Sequence, residues 1–257
     1  MKINVKDLWE RILFYVSVPT CVCCKTRLKI TESALCESCI EKREKMKFRS
    51  CSRCNKKLDK CICSNEYLES HYVRRLAKCF RYMQREDTLP LNAPIYSLKR
   101  HHRKDVLEFC AEEMTKSIKN AFPKAKDYIV TNVPRSNNSI IKYGYDHAEM
   151  LAHEVAKRIG AKYEKILKSD IKVEQKKLHG ESRKQNAKFA VMNEIDLSGK
   201  TVLIIDDIVT SGASMGEAAM LIRSLGAKRI MGAALGIAYK DKYTPFPHNT
   251  SELYTYW

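Results

Sequence analysis

Two groups of residues in this 257-residue chain have types and spacings that could do chemistry. The first lies in the run VLIIDDIVTSGASMGEAA, which begins at Val202. Asp206 and Asp207 end an apolar stretch, where adjacent carboxylates are costly unless they are used or solvated. Thr210, Ser211, Gly212, Ala213 and Ser214 then form a small turn rich in hydroxyls, and Ser214 with Glu217 has the spacing of a capping box. Backbone N–H groups and the positive end of the helix that follows suit a phosphate. No Gly-Lys-Thr follows a glycine-rich run, which excludes an ATPase loop of the Walker kind.

The second group is cysteine. Nine of the 11 cysteines fall between Cys21 and Cys63, in a chain with no export signal, which favours metal over disulfides. Cys21 and Cys24, Cys36 and Cys39, and Cys51 and Cys54 are C-x-x-C pairs, and Cys61 with Cys63 is C-x-C. Zinc accepts four thiolates in a tetrahedron, and a tight turn lets one pair share the ion. Adjacency gives one site from Cys21, Cys24, Cys36 and Cys39, and a second from Cys51, Cys54, Cys61 and Cys63. An interleaved pairing of the first pair with the third stays open, and Cys23 could replace Cys21 or Cys24. One or two structural Zn²⁺ ions are therefore expected. Four thiolates leave no open position for water, so this zinc is not expected to do chemistry.

Stepping along the chain, the pattern after residue 80 becomes alternating helices and strands. Leu107, Cys110, Ala111, Met114 and Ile118 share one helical face. Tyr128–Val133 is a short apolar strand. Ala148, Leu151, Ala152, Val155 and Ile159 form a second helical face closed by Gly160. Thr201–Ile205 reads as a strand covered on both sides, with Asp206 and Asp207 at its end. Ala218, Leu221, Ile222 and Leu225 form a third helix ending at Gly226, and Ile230–Ile237 another strand. Strand, helix, strand in this order predicts an α/β fold with a parallel sheet flanked by helices. Chemistry in such a sheet sits past the carboxyl ends of strands, where the acidic pair and the turn are placed.

The amino terminus is interrupted by Lys6, Asp7, Glu10 and Arg11, so it lacks a signal-peptide core. Val5, Leu8, Trp9, Ile12 and Leu13 recur there at helical spacing. No stretch approaches the roughly 20 apolar residues of a membrane helix, so a cytoplasmic protein without membrane insertion is expected. The formal net charge of +17 points to a polyanionic partner. Two four-thiolate zinc sites would each carry about −2, bringing the total to about +13.

The run from Val202 onward resembles the phosphoribosyl pyrophosphate signature of type I phosphoribosyltransferases, a hydrophobic strand followed by D-D-x-x-T-[ST]-G-x-[ST]. That resemblance implies that Asp206 and Asp207 hold the ribose hydroxyls and carry catalysis, and that Thr210 to Ser214 hold the 5′-phosphate. A zinc module ahead of such a domain resembles the ComF (ComFC) family, associated with DNA uptake in natural transformation. IYSLKRHHRKDVLEFCAEEM looks like that family's link from zinc ribbon to sheet. Asn132 to Arg135 (NVPR) matches its Val-Pro turn, placing Pro134 and Arg135 beside a pyrophosphate. Gly144, Tyr145, Asp146 and Ala148 match R-G-[FY]-[ND]-x-[AS]. Gln175, Leu178, Arg183, Asn186 and Phe189 match Q-x-x-L…R-x-x-N-x-x-F, in the flexible-loop region to which Arg183 is assigned. Tyr143 stands where the family usually has Arg, and His147 where Gln is common; a phenol cannot grip phosphate as a guanidinium fork does.

Apolar spacing predicts an amphipathic helix over 1–18, and a polar tail is expected over 241–257; between them the resemblance implies a zinc-ribbon module over 19–70 and a type I phosphoribosyltransferase-like domain over 71–240. It implies phosphoribosyl pyrophosphate or a nucleotide as ligand. It also implies a role in DNA uptake through single-stranded DNA or other competence proteins. The other function it implies is an active phosphoribosyltransferase, using Mg²⁺ with phosphoribosyl pyrophosphate and a nucleobase-like acceptor.

Overall fold

The computed structural model describes residues 19–47, 50–51, 53–82, 89–169, 189–192 and 195–238. The helix expected over 1–18, the stretch carrying Gln175, Leu178, Arg183 and Asn186, and the tail over 241–257 lie outside these residues.

Helix α1 (Glu37–Met46) and the short α2 (Glu66–Ser70) belong to the cysteine-rich front, and β1 (Val73–Arg81) follows. Then come α3 (Leu89–Arg100), α4 (Lys104–Ala121), β2 (Ile129–Asn132), α5 (Asn137–Tyr143), α6 (His147–Ile159) and β3 (Lys162–Tyr163). The strands β4 (Leu167–Ser169) and β5 (Phe189–Val191) pair with each other, antiparallel. Next are β6 (Thr201–Val209), α7 (Ala213–Ser224) and β7 (Arg229–Ile237). Five strands form one parallel sheet in the order β1-β7-β6-β2-β3. The expected α/β class, parallel sheet and helical faces are present. α6 closes as expected, with Gly160 left-handed at φ 73°.

The order of the strands places the site. From β2 the chain moves outward to β3, and from β6 it moves the other way to β7, so the carboxyl ends of β2 and β6 flank a switch-point crevice. β2 stops with Asn132 opposite Ile205, while β6 runs on beside β7 to Val209 opposite Ile237. Asp206 and Asp207 therefore lie inside β6, not at its end as the apolar run alone suggests. The strand continues past them because β7 supplies a ladder that β2 no longer does.

Alternation along β6 divides the core into two layers. Leu203 and Ile205 face one cluster, with α3, α4, α6 and the first cysteine segment (Cys21, Val22, Leu28, Leu35, Cys39). Val202 and Ile204 face the other, with α7 and the second cysteine segment (Cys51, Leu58, Cys61, Leu68). Each half of the cysteine-rich front is thus continuous with a different face of the sheet.

One buried charge fastens the front to the body. Arg43 of α1 is 1% exposed. Its guanidinium donates to the carbonyl oxygen of Pro90 at 2.9 Å and to that of Leu91, and pairs with Glu113 of α4 at 2.5 Å. Pro94 explains the first bond. A residue with an N–H at 94 would bond the Pro90 carbonyl four residues back; proline has none, and Arg43 supplies the missing donor. Phe80 lies under the same guanidinium, 4.7 Å from centroid to Cζ. Burial alone would raise the Glu113 carboxyl, but Arg43 and Lys47 outweigh it and hold the group down at about 2. The pair's contribution is therefore present above the unfolded carboxylate value near 4.3 and is lost as pH falls towards 2. Replacing Arg43 by Ala should cost about 3 kcal/mol, because it strands one acid and two carbonyl oxygens in the interior. Urea unfolding at pH 7 measures this, and the loss should shrink as pH falls below 4.

Candidate functional site

Asp206 and Asp207 point to opposite faces of β6, and their surroundings differ accordingly. Asp207 is 3% exposed and belongs to the face packed by α3 and α6. Its Oδ2 meets three nitrogen atoms: His147 Nε2 at 2.5 Å, Arg135 Nη2 at 2.6 Å and Lys99 Nζ at 3.2 Å. Arg135 Nη2 also touches the His147 ring nitrogen. Burial would raise the Asp207 carboxyl, but the His147 hydrogen bond and the Lys99 and Arg135 charges dominate and hold it well below the ordinary carboxylate range.

Asp206 faces the α7 layer and is half-buried. Its Oδ1 accepts from the Asp207 backbone N–H at 2.8 Å. Burial first, and the Asp207 charge second, push its carboxyl up to about 7. Two adjacent residues of one strand thus hold opposite protonation tendencies.

The turn leads directly away from this pair. Thr210 and Ser211 are exposed, Gly212 is buried, and Ala213 and Ser214 are half-buried in the first turn of α7. The expected capping box of Ser214 with Glu217 does not form. α7 begins two residues earlier, with Gly212 at the cap position in the left-handed region at φ 92° and without a side chain of its own to cap the helix. Ser211 Oγ instead accepts from Ala213 N–H at 3.3 Å. The residue at 212 must be glycine on two counts, since a Cβ there would also lie 2.7 Å from Leu68 Cγ of α2.

The Val-Pro turn sits across the crevice. Val133 N–H bonds the Ile205 carbonyl at 2.9 Å, which carries Pro134 and Arg135 towards Asp207. Asp146 caps α6 by accepting from Ala148 and Glu149 N–H at 2.9 and 3.0 Å, and its other oxygen accepts from Arg135 N–H at 3.4 Å. Tyr145 donates its hydroxyl to the Leu98 carbonyl at 2.9 Å. Tyr143 is half-buried, with the Lys142 ammonium 5.3 Å from its ring centroid. The structure therefore brings together Asp206, Asp207, Pro134, Arg135 and Thr210–Ser214, while Arg183 lies outside the described residues.

Sequence reasoning missed Lys99 and took His147 only as a departure from a motif. Lys99 lies eight residues before Leu107, the first residue of the expected helical face, in a stretch read only as a link to the sheet. Only the fold shows that the end of α3 meets Asp207 within β6.

The cysteines group by adjacency, which removes the interleaved pairing. The Sγ atoms of Cys21, Cys24, Cys36 and Cys39 lie within 4.8 Å of one another, as do those of Cys51, Cys54, Cys61 and Cys63. Both sets could hold a metal ion, and three observations fit one. The Cys24–Cys36 and Cys54–Cys61 sulfur separations are 3.6 and 3.5 Å. A tetrahedron with metal–sulfur bonds of about 2.3 Å has edges near 3.8 Å. The two C-x-x-C turns repeat one backbone shape. Lys25 and Asn55 follow the second cysteine of each at φ 65° and 56°, and donate to the Cys21 and Cys51 carbonyls at 3.0 and 2.8 Å. Finally, the Lys78 ammonium is fully buried against the Cys63 carbonyl, beside the second thiol set, where an anionic metal–thiolate centre would balance it. Cys79 and Cys110 are buried apart from these sets.

Among the described residues no helix is long and apolar enough to cross a membrane. Residues 145–248 match the family model described as the phosphoribosyl transferase domain. The chain is 51% identical over 41 residues to a ribose-phosphate pyrophosphokinase of Thermococcus kodakarensis, covering 16% of this chain and 15% of that protein. It is 26% identical over 149 residues to DNA utilization protein YhgH of Salmonella typhimurium, covering 56% of this chain and 65% of the relative. With competence protein F of Haemophilus influenzae the identity is 20% over 230 residues, 82% of this chain and 93% of the relative. A purine phosphoribosyltransferase structure from Pyrococcus horikoshii aligns at 14% identity and TM-score 0.35, over 55% of this chain and 90% of that one. The pyrophosphokinase match spans about one seventh of that protein, so it speaks for a shared segment and not for a shared activity. Of these relatives competence protein F is matched over the greatest share of both chains, and this chain is similar to ComF-type proteins, with a segment that matches the phosphoribosyl transferase domain.

Proposed function

We propose that the crevice between β2 and β6 binds a phosphoribosyl group, of phosphoribosyl pyrophosphate or a nucleotide, and that the protein serves DNA uptake in the cytoplasm by handling single-stranded DNA or its nucleotides with competence partners. The observation that carries this reading is the start of α7. Its cap position is a glycine, which has no side chain of its own to occupy the helix amides, it follows the hydroxyls of Thr210 and Ser211, and it lies one short turn past Asp206. Helix amides, hydroxyls and a nearby carboxylate suit a phosphate and the hydroxyls of the sugar that bears it.

The two carboxylates then divide the work. Asp206, half-exposed and held at a raised pKa, is the group available to ribose hydroxyls. Asp207 orients Arg135 and Lys99 at the mouth of the crevice, where the pair of cations exceeds its single charge and favours a pyrophosphate. A second reading is favoured by the phosphoribosyl transferase description of residues 145–248. In it the same site, with Mg²⁺ accompanying phosphoribosyl pyrophosphate, transfers the sugar to a nucleobase-like acceptor by positioning and charge neutralisation. Release of pyrophosphate in the presence of a panel of bases separates this from binding alone. Single-strand binding that weakens steeply with salt is the mark of the DNA-handling reading. The two cysteine sets are read as structural Zn²⁺ sites, closed to water and substrate.

Three outcomes are expected. Asp206→Ala should fold normally and lose at least tenfold in calorimetric affinity for phosphoribosyl pyrophosphate, whereas Asp207→Asn should unfold several kcal/mol more easily, about 3 or more, by stranding its cations. Because the folded protein keeps the Asp206 proton up to about pH 7, that group's contribution to stability is full below pH 4 and lost as pH rises through 7. Asp206→Asn should therefore gain on the native protein in urea midpoint between pH 5 and pH 8. Metal analysis should return two zinc ions per chain, and chelation should lower one cooperative melting transition, since each cysteine set shares a core with one face of the sheet.

A further inference from the structure

We propose that Asn65 is the positioning residue of the phosphate loop, and that through it the second cysteine centre sets how tightly the loop takes a phosphate. The inference rests on the phosphoribosyl reading above and extends it to regulation of that site.

Asn65 stands two residues after Cys63 and caps α2. Its Oδ1 accepts from Leu68 N–H at 2.8 Å, and its Nδ2 donates to the Ser211 carbonyl at 2.9 Å. One amide thus joins the end of the cysteine segment to the middle of the loop, 146 residues away in sequence. The contact is reinforced without slack. Leu68, fully buried, fills the space where a Gly212 side chain would stand. Tyr67 and His71 fill that of Gly216, whose Cβ would lie 2.8 and 3.2 Å from them. The inner side of α7's first turn is therefore moulded on α2.

α2 has five residues, too few to hold a helix by itself. Its frame comes from the segment before it. Cys63 bridges Arg75 of β1, Leu76 N–H bonds the Ile62 carbonyl at 3.0 Å, and Lys78 bonds the Cys63 carbonyl. Cys61 and Cys63 are also two of the four thiols of the second set, which could hold a metal ion. A metal that closes Cys51, Cys54, Cys61 and Cys63 fixes where Asn65 sits, and Asn65 fixes the Ser211 carbonyl and so the amides that follow it. Loss of the metal frees the segment that carries the amide, so metal and phosphate binding are coupled through one hydrogen bond and one packed surface.

The test uses the full chain. Asn65→Asp keeps the oxygen that caps α2 and replaces the donor to Ser211 by an acceptor; Asn65→Ala removes both. Deuterium exchange of amides 210–216 without ligand, zinc content, melting midpoint and calorimetric affinity for phosphoribosyl pyrophosphate are measured on each. For Asn65→Asp we expect two zinc ions and a midpoint near native. We also expect faster exchange over 210–216 with β7 unchanged, and affinity reduced about fivefold or more, the worth of one such bond. Chelation of the native chain should speed exchange over the same amides. Unchanged exchange and affinity in Asn65→Asp, or unchanged exchange at 210–216 after zinc loss, would overturn the proposal while leaving the phosphoribosyl reading intact. If the native chain binds no phosphoribosyl pyrophosphate, that reading fails, and faster loop exchange in Asn65→Asp would then show only that Asn65 positions the loop.

Discussion

A carboxylate buried in the middle of a parallel sheet needs positive charge brought to it, and in this protein that need organises the crevice. Asp207 draws Lys99 from the end of α3, Arg135 from the turn after β2 and His147 from the first turn of α6 onto a single oxygen atom. None of these elements is adjacent in sequence to β6. Each is held near it by its own apolar face, and the charge fixes the last few ångströms of their approach. A buried acid with three basic partners is weak evidence of stability and better evidence of geometry, since moving any one element uncovers a charge. The neighbouring Asp206 is kept from ionising easily by its burial first, and then by an anion that cannot leave.

The cysteine-rich front is not an appendage on this arrangement. Its first half merges with the α3, α4 and α6 layer and its second with the α7 layer, so the sheet is gripped from both faces. A short segment with few large apolar residues gains a core by borrowing one, and the borrowed surfaces are those behind the crevice. Arg103 and Asp105 at the start of α4 add polar ties to the first half, bonding the Thr20 carbonyl and the Ala34 N–H at 2.9 and 3.1 Å.

Much of this was legible in residue order. The thiol sets follow from adjacency of C-x-x-C and C-x-C pairs, and α4, α6 and α7 from apolar spacing, because both are local properties of the chain. The extension of β6 to Val209 was not legible, since what prolongs a strand is the neighbour beside it, and apolar runs do not name neighbours. The cap of α7 was misread for a related reason. Ser214 and Glu217 have the right spacing, but Gly212 alone can turn the chain where Leu68 leaves no room, and that restriction comes from residues far off in sequence. Lys99 and Asn65 stayed hidden because a lone lysine in a basic stretch and a lone asparagine before a short helix carry no spacing signal at all.

The join between Arg43 and Pro94 has a consequence for how such a chain can vary. A proline without its arginine would leave an interior carbonyl unanswered, and an arginine without the proline would compete with a restored amide for the same oxygen. Neither position can drift alone. Covariation between positions 43 and 94 should therefore mark the seam between front and body in any related chain built the same way, whatever its crevice has come to bind.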